Sequence, residues 1–273
     1  MTIPLSESVS ELAVTAVRVV VVVTTFAVCF SPARSAAAAS RAPAPRLEGP
    51  FGEGDAEVWL LRPRGAPRSI VVFGHGWKLF PPSPSRPWVG QFRPWLDHLV
   101  ERGSAVVFPR YQLGTGDDQG VDRLDAYRRG LALGLSRLGA GRLPIVALGY
   151  SFGASLALYY AADARRWHLP EPAAVDGVFP AGLIAGAPFA GLPNRTRVVF
   201  QVGDRDAEAG AGGALAFWAR LASHPAARKR YEVVRSHGGF VADHAAPKGS
   251  SSAARVAFWA PLDALVSAAR GSR

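Results

Sequence analysis

Apolar positions in this chain follow two spacings that alternate from residue 56 onward. Short apolar runs occupy residues 56–61, 69–73, 105–108, 143–148, 197–202 and 231–235, with a weaker one at 182–185. Runs of this length, bounded by turn residues, predict strands, and those with no polar alternation predict strands buried on both faces. Between them the spacing changes to three and four. Trp95, Leu96 and Leu99 share one face of residues 92–101, which stop at Gly103. Leu124, Tyr127, Leu131, Leu135 and Leu138 line one face of residues 121–138. Both are amphipathic helix patterns. Residues 151–164, 213–221 and 252–269 complete the predicted helices, and residues 75–87 read as a long loop. Strands alternating with helices predict an α/β fold, a mainly parallel central sheet with helices on both faces. Such a sheet places ligand chemistry in the loops that follow its strands. The stretch between Ala185 and Thr196 is short, so no large lid is expected there.

Ahead of this alternation the pattern is different. Residues 12–30 are nearly all apolar, and the small-residue stretch SPARSAAAAS follows at 31–40. This reads as an export signal with several small-x-small cleavage sites, and it is set apart from the fold. Two readings compete with it. One is an uncleaved anchor, because the run is near the lower length for a membrane span. The other is a lipoprotein with Cys29 as the lipid site, which Phe26-Ala27-Val28 suits poorly. The expected organisation is therefore a signal or anchor at 1–40, a Pro- and Gly-containing lead-in at 41–55, and one domain at 56–273. The expected location is secreted, periplasmic or cell-envelope.

Cys29 is the only cysteine. Beyond residue 40 there is no disulfide, thiolate metal site or cysteine nucleophile to consider. The domain must be held by its own core, which a length of 273 residues and 49% apolar composition permit. The formal charge is +10, and it falls after residue 40, since Arg18 and Arg34 are offset by Glu7 and Glu11. An arginine-rich composition accounts for it, and attraction to anionic surfaces is the sharper alternative. No basic stripe interleaved with aromatics, zinc-finger spacing or helix-turn-helix pattern is present, so nucleic-acid binding is not expected.

The sharpest chemical signal is Gly149-Tyr150-Ser151-Phe152-Gly153, the only G-x-S-x-G in the chain. It lies between a predicted strand and a predicted helix, the setting of a nucleophile elbow. The turn is too tight for flanking side chains, and the helix N-terminus favours negative charge developing beside Ser151. A bland alternative is a helix start with Ser151 as N-cap. Phe73-Gly74-His75-Gly76-Trp77 follows an earlier strand. Acyl transfer needs two preorganised N–H donors for the oxyanion, and the backbones of Trp77 and Phe152 are assigned to it. His75 is read as an organiser of that loop. An acid is offered by Gly203-Asp204-Arg205-Asp206; Asp206 is chosen because it sits further into the loop, with Asp204 as a loop cap or a surface charge. The base must follow the acid in the chain, which leaves His237 and His244. His98, His168 and His224 read as surface or packing residues. Phe80, Trp88, Tyr150 and Phe152 are candidates for an apolar pocket or for core.

With these residues in place the chain resembles the α/β-hydrolase superfamily over residues 56–269. Within it the resemblance is to bacterial secreted esterases, cutinase-like and dienelactone-hydrolase-like enzymes. It is carried by the His-Gly-Trp loop, the Gly-Tyr-Ser-Phe-Gly elbow and Gly-x-x-Asp at Gly203 to Asp206. Asp243-His244-Ala245-Ala246-Pro247 is similar to the Ser-His-Phe-Ala-Pro run of cutinase-like polyester hydrolases, where that histidine is catalytic; the resemblance therefore implies His244, with His237 second. Two departures stand out: the mature chain lacks the disulfide those enzymes carry, and Tyr150 stands where many have His. Polyester hydrolysis is not inferred.

The expectation is a carboxylic ester hydrolase with a Ser151–His244–Asp206 triad, an acyl-enzyme intermediate and no metal or cofactor, acting on a small-molecule or polymeric ester. Other acyl transfer, amide hydrolysis or perhydrolysis on the same triad is the nearest alternative. An Asp at the elbow would be needed for a haloalkane dehalogenase. A non-catalytic binding protein on this fold would show a triad member replaced.

Overall fold

The computed structural model describes residues 45–77, 86–114 and 120–272. All lie in the unit spanning residues 43–273. The predicted export segment at 1–40 and Phe80 fall outside the described residues.

Eight strands form one sheet: β1 (Leu47–Phe51), β2 (Val58–Leu61), β3 (Ser69–Gly74), β4 (Ser104–Pro109), β5 (Ile145–Tyr150), β6 (Ala174–Val178), β7 (Arg197–Gly203) and β8 (Lys229–Val234). Their spatial order is β1-β2-β4-β3-β5-β6-β7-β8. The strands from β3 to β8 are parallel; β2 is antiparallel to β4, and β1 to β2. Every residue of β2, β3, β4, β5 and β6 is buried. Strands buried on both faces have no polar alternation, which is why they read as unbroken apolar runs.

Helices cover the two faces. On one lie α3 (Val121–Leu138), α4 (Phe152–Asp163) and α5 (Gly212–Arg220), whose Tyr127, Leu131, Leu156 and Phe217 pack on Val72, Val107, Ala147 and Phe200. On the other lie α1 (Arg86–Gln91), α2 (Arg93–Glu101) and the C-terminal segments α6 (Ser252–Ala254) and α7 (Ala260–Gly271), joined by a π-helical stretch, Arg255–Trp259. Trp95, Leu96, Phe258 and Leu262 pack there on Phe73, Leu148 and Val199. Trp95 and Trp259 stack with ring centroids 6.1 Å apart.

Two sequence expectations are corrected. The strand expected at 182–185 is irregular, and the sheet position is filled by β6 instead. β6 reads Ala-Val-Asp-Gly-Val, so Asp176 and Gly177 interrupt the apolar run that would have marked it. Ile184 is apolar because it folds back onto the helix-covered core beyond the strand. The lead-in also contains β1, whose sparse pattern (Leu-Glu-Gly-Pro-Phe) reflects an edge strand only half covered.

Candidate active site

β3 and β5 are neighbours, and the chain leaves them in opposite directions across the sheet: β4 lies on the far side of β3, β6 on the far side of β5. A crevice opens at the carboxyl ends of strands where the winding reverses. Gly74 and Gly149 face each other there, at the ends of β3 and β5.

Ser151 follows β5 with φ 56° and ψ −126° and leads directly into α4. A positive φ at a non-glycine residue costs about 1–3 kcal/mol and persists only where the surroundings impose it. Here they do. The Ser151 N–H donates to the Val178 carbonyl at 2.8 Å, and its own carbonyl accepts from Ala154 at 2.9 Å and Ala181 at 3.3 Å. The flanking glycines are required sterically: a Cβ on Gly149 would stand 2.2 Å from the Gly153 oxygen, and one on Gly153 2.3 Å from the oxygens of Gly74 and His75. The strand, the turn and the β3 loop are therefore in backbone contact, which fixes Ser151 against the loop carrying Gly76 and Trp77.

The Ser151 Oγ lies 3.0 Å from His244 Nε2, and His244 Nδ1 lies 3.0 Å from Asp206 Oδ2. All three residues are buried. The second Asp206 oxygen accepts the N–H groups of Glu208 at 2.9 Å and Ala209 at 3.0 Å. The carboxylate is thus locked by its own turn, with one oxygen left for the imidazole. His237 is elsewhere: it exchanges backbone hydrogen bonds with Phe240 around a tight Gly238-Gly239 turn, and its side chain is exposed.

Several residues hold this arrangement in ways the sequence did not reveal. Asp204 Oδ1 accepts from the Ser236 N–H at 3.0 Å and its hydroxyl at 2.6 Å, and Ser236 Oγ accepts from the Ala242 N–H at 3.0 Å. These bonds pin the His244 loop onto the loop after β7, and the Ser236 hydrogen bonds hold the Asp204 carboxyl below its ordinary range. Gly203 sits so close that a Cβ would meet the Ala242 oxygen at 2.0 Å. Tyr150 donates its hydroxyl to the His244 carbonyl at 2.5 Å. Burial, then the carboxylates of Glu208, Asp206 and Asp243, push that phenol up, so it stays a donor. Only the Asp204 cap was anticipated.

The expected oxyanion donors flank Ser151. Phe152 is the first residue of α4, where N–H groups have no acceptor within the helix. Trp77 follows Gly76, whose added Cβ would lie 3.2 Å from the Ser151 Cβ. His75 is buried between Trp88, Phe108 and Tyr111, its carbonyl accepting from the Tyr111 hydroxyl at 2.6 Å. Tyr111 and Phe152 are buried core residues, and the partly exposed Trp77 packs against them, its ring meeting that of Phe152 edge-on at 5.5 Å. Of the other pocket candidates, Trp88, in α1, and Tyr150, at the end of β5, are core residues. Glu208 extends its exposed side chain to 3.7 Å from His244 Nε2.

A hydroxyl, an imidazole and a carboxylate in one hydrogen-bonded line, beside a helix N-terminus, can pass the hydroxyl proton to the imidazole while the hydroxyl attacks an electrophile. Among the described residues no cluster of His, Cys, Asp and Glu could hold a metal.

No family model matches the sequence, and no curated protein matches it. Solved structures do match in fold. Esterase B from Lactobacillus rhamnosis superposes with a TM-score of 0.62 at 15% identity, over 83% of this chain and 85% of its own. Esterase 2 from Thermogutta terrifontis gives 0.59 at 19% identity, over 83% and 95%. TT1662 from Thermus thermophilus gives 0.54 at 16%, over 84% and 99%. The chain has the α/β-hydrolase fold.

Proposed function

We propose that this chain is a serine hydrolase that cleaves carboxylic esters through an acyl-enzyme on Ser151. The observation that carries the reading is the hydrogen-bonded line from Ser151 through His244 to Asp206, with 3.0 Å at each step, at a strained strand–helix turn. Strain at a buried serine needs a reason, and presenting its hydroxyl to a reacting carbonyl supplies one. The named esterases of the same fold add weight, and one of them, esterase 2 of Thermogutta terrifontis, has been seen with butyrate bound.

In this mechanism His244 takes the Ser151 proton as Oγ attacks the ester carbonyl. Asp206 holds the imidazole in the tautomer that presents Nε2 to the serine and stabilises the imidazolium that forms. The backbone N–H groups of Trp77 and Phe152 receive the oxyanion, a contribution of about 3–4 kcal/mol per donor in such sites. His244 then protonates the departing alcohol. Water repeats the sequence and releases the acid. The partly exposed Trp77 ring, beside Ser151, offers the acyl or alcohol group a place to pack.

The test is hydrolysis of p-nitrophenyl esters across acyl lengths, with covalent labelling by a fluorophosphonate as a second readout. Wild type is expected to turn over and to label. Ser151→Ala is expected to lose labelling and at least about 1,000-fold in kcat, with the fold retained. A folded wild type that neither hydrolyses any ester nor labels would overturn the reading.

A further inference from the structure

We propose that the end of the sheet opposite the Ser151 site is a docking surface for anionic phospholipid headgroups. The inference stands on charge placement and does not depend on the ester-hydrolase reading. Each of the six parallel strands is entered through a loop that carries an exposed arginine: Arg68 before β3, Arg102 before β4, Arg142 before β5, Arg165 before β6, Arg195 before β7 and Arg228 before β8. Parallel strands share one amino end, so these side chains gather on one face. Adjacent strands lie about 4.8 Å apart, so the row is roughly 24 Å wide.

Neutralisation on that face is incomplete. Glu171 is engaged by both Arg165 and Arg195, and Asp263 by Arg102. Arg68 and Arg228 bond only backbone carbonyls, of Arg102 and Arg195, and Arg142 and Arg197 have no ion pair, all among the described residues. Crowding is strong enough that burial, Arg68 and Arg102 together pull the Arg270 guanidinium below its ordinary range. The carboxyl end differs. There Arg110 is matched by Glu57, and Arg123 and Arg129 by Asp55, while Asp206, Glu208 and Asp243 gather near Ser151.

A row of arginines spread over about 24 Å along the starts of adjacent strands suits an extended anionic surface. An anionic bilayer would attract this face and leave the carboxylate-rich end turned toward solvent.

The experiment is flotation of the full chain with vesicles of phosphatidylcholine alone or of equal parts phosphatidylcholine and phosphatidylglycerol. The readout is the difference between the two vesicles, because the apolar segment contributes equally to both. Wild type is expected to prefer the anionic vesicles at low salt and to lose the preference at high salt. A basic residue contributes roughly fivefold to such partitioning. The variant Arg68→Gln/Arg142→Gln/Arg197→Gln/Arg228→Gln should therefore lower the preference more than tenfold, with an unchanged melting curve. Arg205→Gln/Arg235→Gln, at the other end, should keep it. Equal binding to both vesicles, a preference that survives the fourfold change, or displacement by duplex DNA at equal phosphate concentration would overturn the proposal.

Discussion

At the scale of single residues, the candidate site is a set of atoms each held by more than one constraint. Asp206 illustrates it: one oxygen caps two backbone N–H groups and the other meets His244. Asp206→Asn should keep the cap, because the amide oxygen can still accept, yet it presents the wrong partner to the imidazole. The expected result is a folded protein with kcat down by about 10,000-fold, read in the ester assay beside a thermal melt. His237 provides the contrast. Its exposed ring sits on a hairpin away from Ser151, so His237→Ala should retain activity within a few-fold of wild type, whereas His244→Ala should abolish it. A dead His237→Ala with a normal melting curve would contradict that assignment of roles. Ser151, the acid and both histidines could be marked as candidates in the sequence because the proposed chemistry needs those residue types in that order. Which histidine meets the serine was not, because both lie in one loop and only the fold of that loop decides.

At the scale of elements, the loops after β7 and β8 act as one piece. Asp204, Ser236 and Ala242 connect them through hydrogen bonds, and the close approach of Gly203 to the Ala242 carbonyl leaves no space for a side chain. Gly203→Ala must push the β8 loop outward. The expected cost is about 1–3 kcal/mol of stability. Activity should fall by about 100-fold, as a displacement near 1 Å at His244 would cause. Parallel kinetics and denaturant unfolding separate the two effects; loss of stability alone, with kcat intact, would show that the loop re-docks. Gly203 drew attention in the sequence only as part of Gly-x-x-Asp. Its steric role was invisible there, since the carbonyl it faces is 39 residues away in the chain.

At the scale of the whole molecule, one buried group works against the fold. Asp176 is fully buried in β6, both carboxylate oxygens lack a hydrogen-bond partner among the described residues, and its pKa is raised well above the ordinary value, by burial first and then by Glu232, with Arg230 opposing. The folded chain therefore keeps this proton at a pH where the unfolded chain, with a carboxyl near about 3.9, releases it. The contribution to stability is intact below the unfolded value and is lost as pH rises toward the folded one, at up to about 1.4 kcal/mol per pH unit. Asp176→Asn should raise the melting temperature at neutral and alkaline pH and converge with wild type near pH 4. A variant less stable than wild type at every pH would mean that the carboxyl has a stabilising partner.

Short-range physics explains what could be read from the chain alone. Spacing of apolar residues fixed the period of each strand and helix, and so an α/β sheet covered on both faces. The need for glycine beside a tight turn and for Ser, acid and His in order marked Ser151, Asp206 and two histidines. Tertiary structure decided the rest. It placed β6 where Asp176 and Gly177 had hidden a strand, because burial is set by neighbours rather than by the residue itself. It selected His244 through backbone contacts between loops far apart in sequence. It also gathered arginines from six separate loops on one face, because only the parallel sheet brings the starts of its strands together.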